Sequence, residues 1–229
     1  MTNQAIIIIN PLKNKDLLFK ELKGKIFLHY QLRYLAENLI KKIVIIEPIE
    51  APPLKSILGT SYLDMELDYV KFNKNHGESQ SLIEAFELVD DIYAYVFDAH
   101  HYFRLNLAKA DDFRRMRESR MLHIGIKSEG FIYKDLPHIL LNDRGRIEEI
   151  TDKIEKQEAD TFFTNTWLIN KRYFQRQFNS TESSLLELLK ARYEENREYC
   201  LACRQYFIEI SSEKDFEKAE HDIEEYHYQ

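Results

Sequence analysis

The sequence predicts an α/β fold: a mostly parallel mixed sheet flanked by helices, in a single domain over residues 1–229. Three observations carry this expectation. Short apolar runs at 5–9 (AIIII), 43–46 (IVII) and 93–97 (YAYVF) have the composition of strands buried on both faces. Amphipathic stretches with helical spacing lie between them, as at 26–42. The two kinds of segment alternate, as they do when helices carry the chain from one parallel strand to the next.

Each element follows in order. The run at 5–9 is the first strand, and the lysine-rich stretch NPLKNKDLLFKELKGK follows it. Ile26, Phe27, Tyr30, Tyr34, Leu35 and Leu39 then share one helical face before the strand at 43–46. This is a βαβ unit with a right-handed crossover expected. Pro52 and Pro53 open a segment that ends at Gly59, and 67–72 reads as a strand. After a turn at 75–77 come a helix at 78–89, a strand at 93–97 ending at Asp98, a charged helix at 108–119 and a strand at 122–127. The second half differs. Residues 138–141 and 146–150 form a hairpin around Asn142-Asp143-Arg144-Gly145. A strand at 162–169 precedes a helix at 183–195, with Ser180 or Thr181 as its cap. Strands at 199–203 and 206–210 lead to a last helix at 213–225, capped by Ser211 or Ser212.

Composition excludes several classes. The chain is 44% hydrophobic and 31% charged, which is globular composition. Its net charge of −7 and lack of a long basic run argue against a nucleic-acid partner. No stretch approaches the ~20 apolar residues of a membrane span. The start MTNQAIIIIN lacks the basic region of a signal peptide, so a cytoplasmic location is expected. Two cysteines, Cys200 and Cys203, do not make a disulfide framework, and in a strand their thiols point to opposite faces. Glycine is scarce. There are 6, and none precedes Gly24, whereas usual composition gives about 16.

Four segments, in order, resemble the sugar-1-phosphate nucleotidyltransferases, which join an NTP to a sugar 1-phosphate and release pyrophosphate. GKIFLHYQLRYLAENLIKKIVII resembles the segment that begins Gly-Lys-Pro, with Ile26 in place of the proline. VFDAHHYFRLNL resembles the strand end with the Gly-Asp motif, in the adenylyltransferase form that continues with histidine. HILLNDRGRIEEITDKI resembles the hairpin ending in Glu-Lys-Pro, and YFIEISSEKDFEKAE the closing Trp-x-Asp motif. The resemblance covers nearly the whole chain and implies a GT-A-like, Rossmann-related fold.

The resemblance also implies a site. The family's glycine-rich loop after the first strand lets backbone N–H groups close on a triphosphate. Here the strand runs into Asn10-Pro11-Leu12 with no glycine. Counting back from Gly24-Lys25, the family's loop lysine falls at Leu17. Lys13, Lys15 and Lys20 are the candidates to replace it, the alternative being a solvated basic loop. The family's two metal-binding aspartates fall at His100 and Glu209, a pair able to bind a divalent ion, Mg²⁺ or Mn²⁺, though imidazole suits Zn²⁺ or Mn²⁺ better than Mg²⁺. Alternatively His100 and His101 are a polar strand-end pair without a ligand. Asp152 and Lys153 correspond to the Glu-Lys step facing the sugar phosphate, or form an exposed charged turn. Gly77 is the remnant of a glycine-rich loop, where Glu78 and Gln80 would crowd a base.

Three functional expectations follow. One is a catalytically impaired member that binds a nucleotide, sugar phosphate or nucleotide sugar, as a binding or regulatory subunit in a homo-oligomer or beside an active homologue. Another is an active GT-A-type transferase with Asp98-x-His100 as an Mn²⁺ motif. The last is an active nucleotidyltransferase whose lysine-rich loop handles phosphate without glycine.

Overall fold

A computed structural model describes residues 2–10, 13–49, 53–72, 77–127, 136–151, 161–177, 184–196, 198–204 and 207–227. The first half contains β1 (Gln4–Ile8), α1 (Asp16–Phe19), β2 (Glu21–Leu22), β3 (Lys25–Ile26), α2 (Phe27–Glu37), β4 (Lys42–Pro48), α3 (Leu54–Leu58), β5 (Ser61–Tyr62) and β6 (Met65–Phe72). It continues with α4 (Gly77–Glu87), β7 (Tyr93–Asp98), β8 (His101–Phe103), α5 (Leu107–Arg117) and β9 (Met121–Lys127). The second half adds β10 (His138–Leu141), β11 (Ile147–Thr151), β12 (Thr161–Phe162), β13 (Trp167–Asn170), α6 (Lys171–Gln177), α7 (Leu185–Asn196), β14 (Tyr199–Cys203), β15 (Phe207–Glu209) and α8 (Glu213–His227).

The mixed α/β sheet forms as expected, with helices on both faces. Its centre is parallel: β6, β4, β1 and β7 lie side by side, with Ile6 opposite Val44 and Val96. Beyond β7 the pairing turns antiparallel through β13, which also pairs with β9. β14 then adds to β9 in parallel. The hairpin β10–β11 joins through β12.

Burial explains the continuous apolar runs. Ala5, Ile7, Ile43 and Ile45 pack on one face under α1, α2, α3, α5 and α8, where Leu18, Phe27, Leu54, Leu107 and Phe216 meet them. Ile6, Ile8, Val44 and Ile46 pack on the other face under α4, α6 and α7, through Phe86, Phe174 and Leu189. No solvent-facing side is left, so alternation is suppressed. Cys200 and Cys203 belong to opposite faces, as the strand period requires.

Several boundaries differ from expectation. The helix expected at 26–42 ends at Glu37, because the chain must leave helical geometry to enter β4 at Lys42. The strand expected at 162–169 is two strands, β12 and β13, separated where Thr164 folds its Oγ1 onto the Ile124 carbonyl. The cap of α7 is Ser184, whose Oγ accepts from Glu187 N at 3.2 Å while Glu187 accepts from Ser184 N at 2.9 Å. That reciprocal pair is a capping box, and Ser180 and Thr181 lie outside the described residues. Ser212 caps α8 in the same way with Asp215. Helices α1, α3 and α6 and strands β2, β3, β5 and β8 have no counterpart among the expected elements. Among the described residues, no helix is long and apolar enough to cross a membrane.

Candidate functional site

In open α/β sheets, ligands bind beyond the carboxyl ends of the parallel strands, where neighbouring connections diverge. Strands β1 and β7 are paired neighbours, with Ile8 opposite Asp98, and Ala99 N donates to Ile8 O at 2.9 Å. The loop after β1 and the residues after β7 therefore open on the same place. Lys13 comes from the first and Asp98, His100 and His101 from the second.

A distant segment completes the cluster. After Asp98 the chain forms β8, which pairs antiparallel with β15 so that Glu209 stands opposite His101. Lys13 Nζ lies 3.0 Å from Asp98 Oδ2 and 2.7 Å from Glu209 Oε1. It also lies 3.3 Å from His101 Nε2. The ammonium donates to both carboxylates, with the His101 ring beside it. Asp98 Oδ1 accepts from His100 N at 2.8 Å and lies 3.2 Å from His100 Nδ1, so both of its oxygens are engaged. Gln31 on α2 supports the same turn, donating to the carbonyl of Asp98 at 3.1 Å and to that of His101.

The electrostatics follow from this packing. Burial alone pushes the Asp98 carboxyl up, but the His101 ring, the His100 hydrogen bond and the Lys13 charge outweigh it and hold it far below the carboxylate range. Glu209 obeys the same balance: burial raises it, and His101 and Lys13 bring it down to about 2. For Lys13, burial lowers the ammonium and the two carboxylates more than restore it, so it is raised. All three charges are thus mutually fixed.

Glu78 borders this region. Burial raises its carboxyl, partly offset by a hydrogen bond from Asn165 Nδ2, and the nearby charge of Asp98 raises it further. Asn165 is held in turn by Trp167 Nε1 at 3.0 Å. Cavities of 420 and 380 Å³ flank β14, and their described lining residues include neither Lys13, Asp98 nor Glu209. Their size does not outweigh the charge chemistry at the end of β1 and β7.

The expected site residues are placed as follows. Lys13 is in the cluster. Lys15 precedes α1 and gives its carbonyl to Leu18 N at 3.0 Å. Lys20 is turned to the start of α8, paired with Glu213 and 4.8 Å from the centre of the Phe216 ring. Leu17, reached by counting back from Gly24, is buried in the core. Gly77 opens α4 at φ +70° and accepts a 3.0 Å hydrogen bond from Ser81 Oγ. Asp152 and Lys153 lie outside the described residues.

Glu209 meets His101, at 3.6 Å, and not His100. Successive residues entering a strand point to opposite sides, so His100 turns inward to Asp98 while His101 faces β15. Gln31 and Asn165 were not foreseen, since a lone amide in an amphipathic helix or a strand carries no pattern of its own. Among the described residues, no group of three or more His, Cys, Asp or Glu side chains is arranged to hold a metal ion.

Solved structures give the architecture its context. HddC from Yersinia pseudotuberculosis superposes with a TM-score of 0.80 over 97% of this chain and 100% of its own, at 14% identity. The fold is that of the sugar-1-phosphate nucleotidyltransferases. A UDP-glucose pyrophosphorylase solved with UDP-glucose has a TM-score of 0.77 at 11% identity, covering 98% of this chain and 99% of that one. The inositol-1-phosphate CTP transferase of T. maritima has a TM-score of 0.73 at 16% identity, covering 98% and 97%. No protein-family model matches the sequence, and no curated protein matches it. The fold is therefore shared with these structures at only 11–16% sequence identity.

Proposed function

We propose that this chain is a sugar-phosphate nucleotidyltransferase-like protein. It receives a nucleotide, sugar phosphate or nucleotide sugar at the ends of β1 and β7. It is impaired in nucleotidyl transfer and serves as a binding or regulatory subunit, alone or beside an active homologue. The observation that carries this reading is the tether of Lys13 to Asp98 and Glu209, at 3.0 and 2.7 Å. The first loop has no glycine to bring its backbone onto a triphosphate. Lys13, which this loop brings to the cluster, is held by the protein's own carboxylates. The solved neighbours whose ligands are nucleotides or nucleotide sugars support the ligand class.

Thermal-shift titration with NTPs, nucleotide sugars and sugar phosphates tests binding. A ligand at 100 times its Kd stabilises by about 2.7 kcal/mol, a shift of roughly 2–4 °C per kcal/mol in a domain of this size. Pyrophosphate release tests catalysis. A shift without release is expected. Turnover with any NTP and sugar 1-phosphate overturns the impaired reading, and a flat panel overturns the ligand class.

A further inference from the structure

The end of β1 and β7 gathers two carboxylates and an imidazole on one point in space, and a cation is already there. The donor set of Asp98, His101 and Glu209 is chemically that of a borderline divalent-ion site, two carboxylates with one imidazole. Geometry decides against such an ion in the native chain. A divalent ion takes carboxylate oxygens at about 2.0–2.2 Å. Lys13 Nζ already stands 3.0 Å from Asp98 Oδ2, 2.7 Å from Glu209 Oε1 and 3.3 Å from His101 Nε2. An ion bound to those same three atoms would overlap the ammonium. The remaining Asp98 oxygen is no refuge, because His100 N and Nδ1 both bind it. The divalent ion implied by the family resemblance therefore does not fit the residues as they stand.

We propose that Lys13 is a built-in cation that occupies the place of a divalent metal ion between Asp98, His101 and Glu209, and that neutralising it converts the cluster into a divalent-cation site. The tether has a structural basis. Lys13 sits just before α1, whose Leu17 and Leu18 are buried in the core, so the loop is anchored within one helical turn of the ammonium. Lys13 and the His101 ring together offset the two carboxylates, and without the ammonium only the imidazole stands between them. A divalent ion relieves the carboxylates' repulsion, and native Lys13 forestalls it. This inference is independent of which nucleotide the cleft takes.

The test is a Mn²⁺ titration of the full chain without nucleotide, reading free Mn²⁺ by electron paramagnetic resonance. Wild type and Lys13→Arg should leave the ion free. Lys13→Met should bind one Mn²⁺ per chain about tenfold or more tightly than wild type, within the range by which a site's surroundings alter metal affinity. Lys13→Met combined with Glu209→Gln should lose that binding. Lys13→Gln, which is neutral but keeps a polar end on a slightly shorter side chain, replaces Lys13→Met if circular dichroism shows the latter unfolded. Wild type that binds one Mn²⁺ and loses it on Glu209→Gln overturns the proposal. So does a folded neutral variant that binds no better than wild type. Because no nucleotide is present, failure here is separable from failure of the ligand reading above.

Discussion

Lys13 and Glu209 are 196 positions apart in the chain, yet their charged atoms lie 2.7 Å apart. The contact joins the first loop to the last strand and closes the cluster on Asp98. Its depth makes its members unequal: the Asp98 side chain is 2% exposed, and those of Lys13 and Glu209 are 22% exposed.

That inequality predicts the order of damage. Asp98→Asn leaves a half-buried ammonium short of its deepest partner and should cost about 3 kcal/mol, at the low end for breaking a buried pair. Glu209→Gln should cost less, because water reaches that carboxylate. Urea denaturation ranks them, and equal losses would contradict the assigned depths.

Acid should weaken the fold through this cluster. Asp98 and Glu209 are held below the ordinary carboxylate range, Glu209 at about 2. Their contribution is complete above their unfolded values of about 4 and is lost as pH falls toward 2. Melting Glu209→Gln between pH 6 and pH 2 should show a shallower decline than wild type.

Glu198 carries the opposite sign. Burial pushes its carboxyl up to about 7, with Tyr173 and Arg192 offsetting only part. The folded chain therefore keeps this proton longer than the unfolded chain, and stability drains away as pH rises from about 4 through 7. Glu198→Gln should match wild type near pH 4 and exceed it by about 3 kcal/mol at pH 8. The difference between urea midpoints at the two pH values measures this, and a difference independent of pH would refute it.

Gly125 lies where β9 runs between β12 and β14. A Cβ there would stand 2.6 Å from Thr161 Cγ2, 2.9 Å from the Phe162 carbonyl and 3.0 Å from Cys200 Sγ. Gly125→Ala should destabilise by about 1–3 kcal/mol through overpacking. A neutral result in chemical denaturation would show that the two flanking strands yield without cost.

Gln31 should matter more than an isolated amide on a helix suggests. Its Nε2 satisfies the carbonyls of Asp98 and His101, on either side of the turn that aims the cluster. Gln31→Leu keeps the bulk and orphans those acceptors, which should cost about 1–3 kcal/mol. The same variant should lower the thermal-shift response to nucleotides if the turn forms part of the ligand site.

The sequence by itself determined the strands that are buried on both faces. The runs at 5–9, 43–46 and 93–97 have too few polar residues to face water, and only a helix-covered parallel sheet hides them. It also determined the hairpin around Gly145 and the missing glycine loop, because those depend on residue identity over a few positions. It exposed Lys13, Asp98, His100 and Glu209 as candidates without saying which would meet. Only the tertiary structure decided that. The choice of His101 over His100 rests on the register of β8 with β15, and a one-residue change of register exchanges the faces of a strand. The choice of Lys13 over Lys15 and Lys20 rests on how the loop enters α1, and Lys20 is instead drawn to Glu213. These are long-range pairings, fixed by the packing of whole elements, and no local pattern along the chain records them.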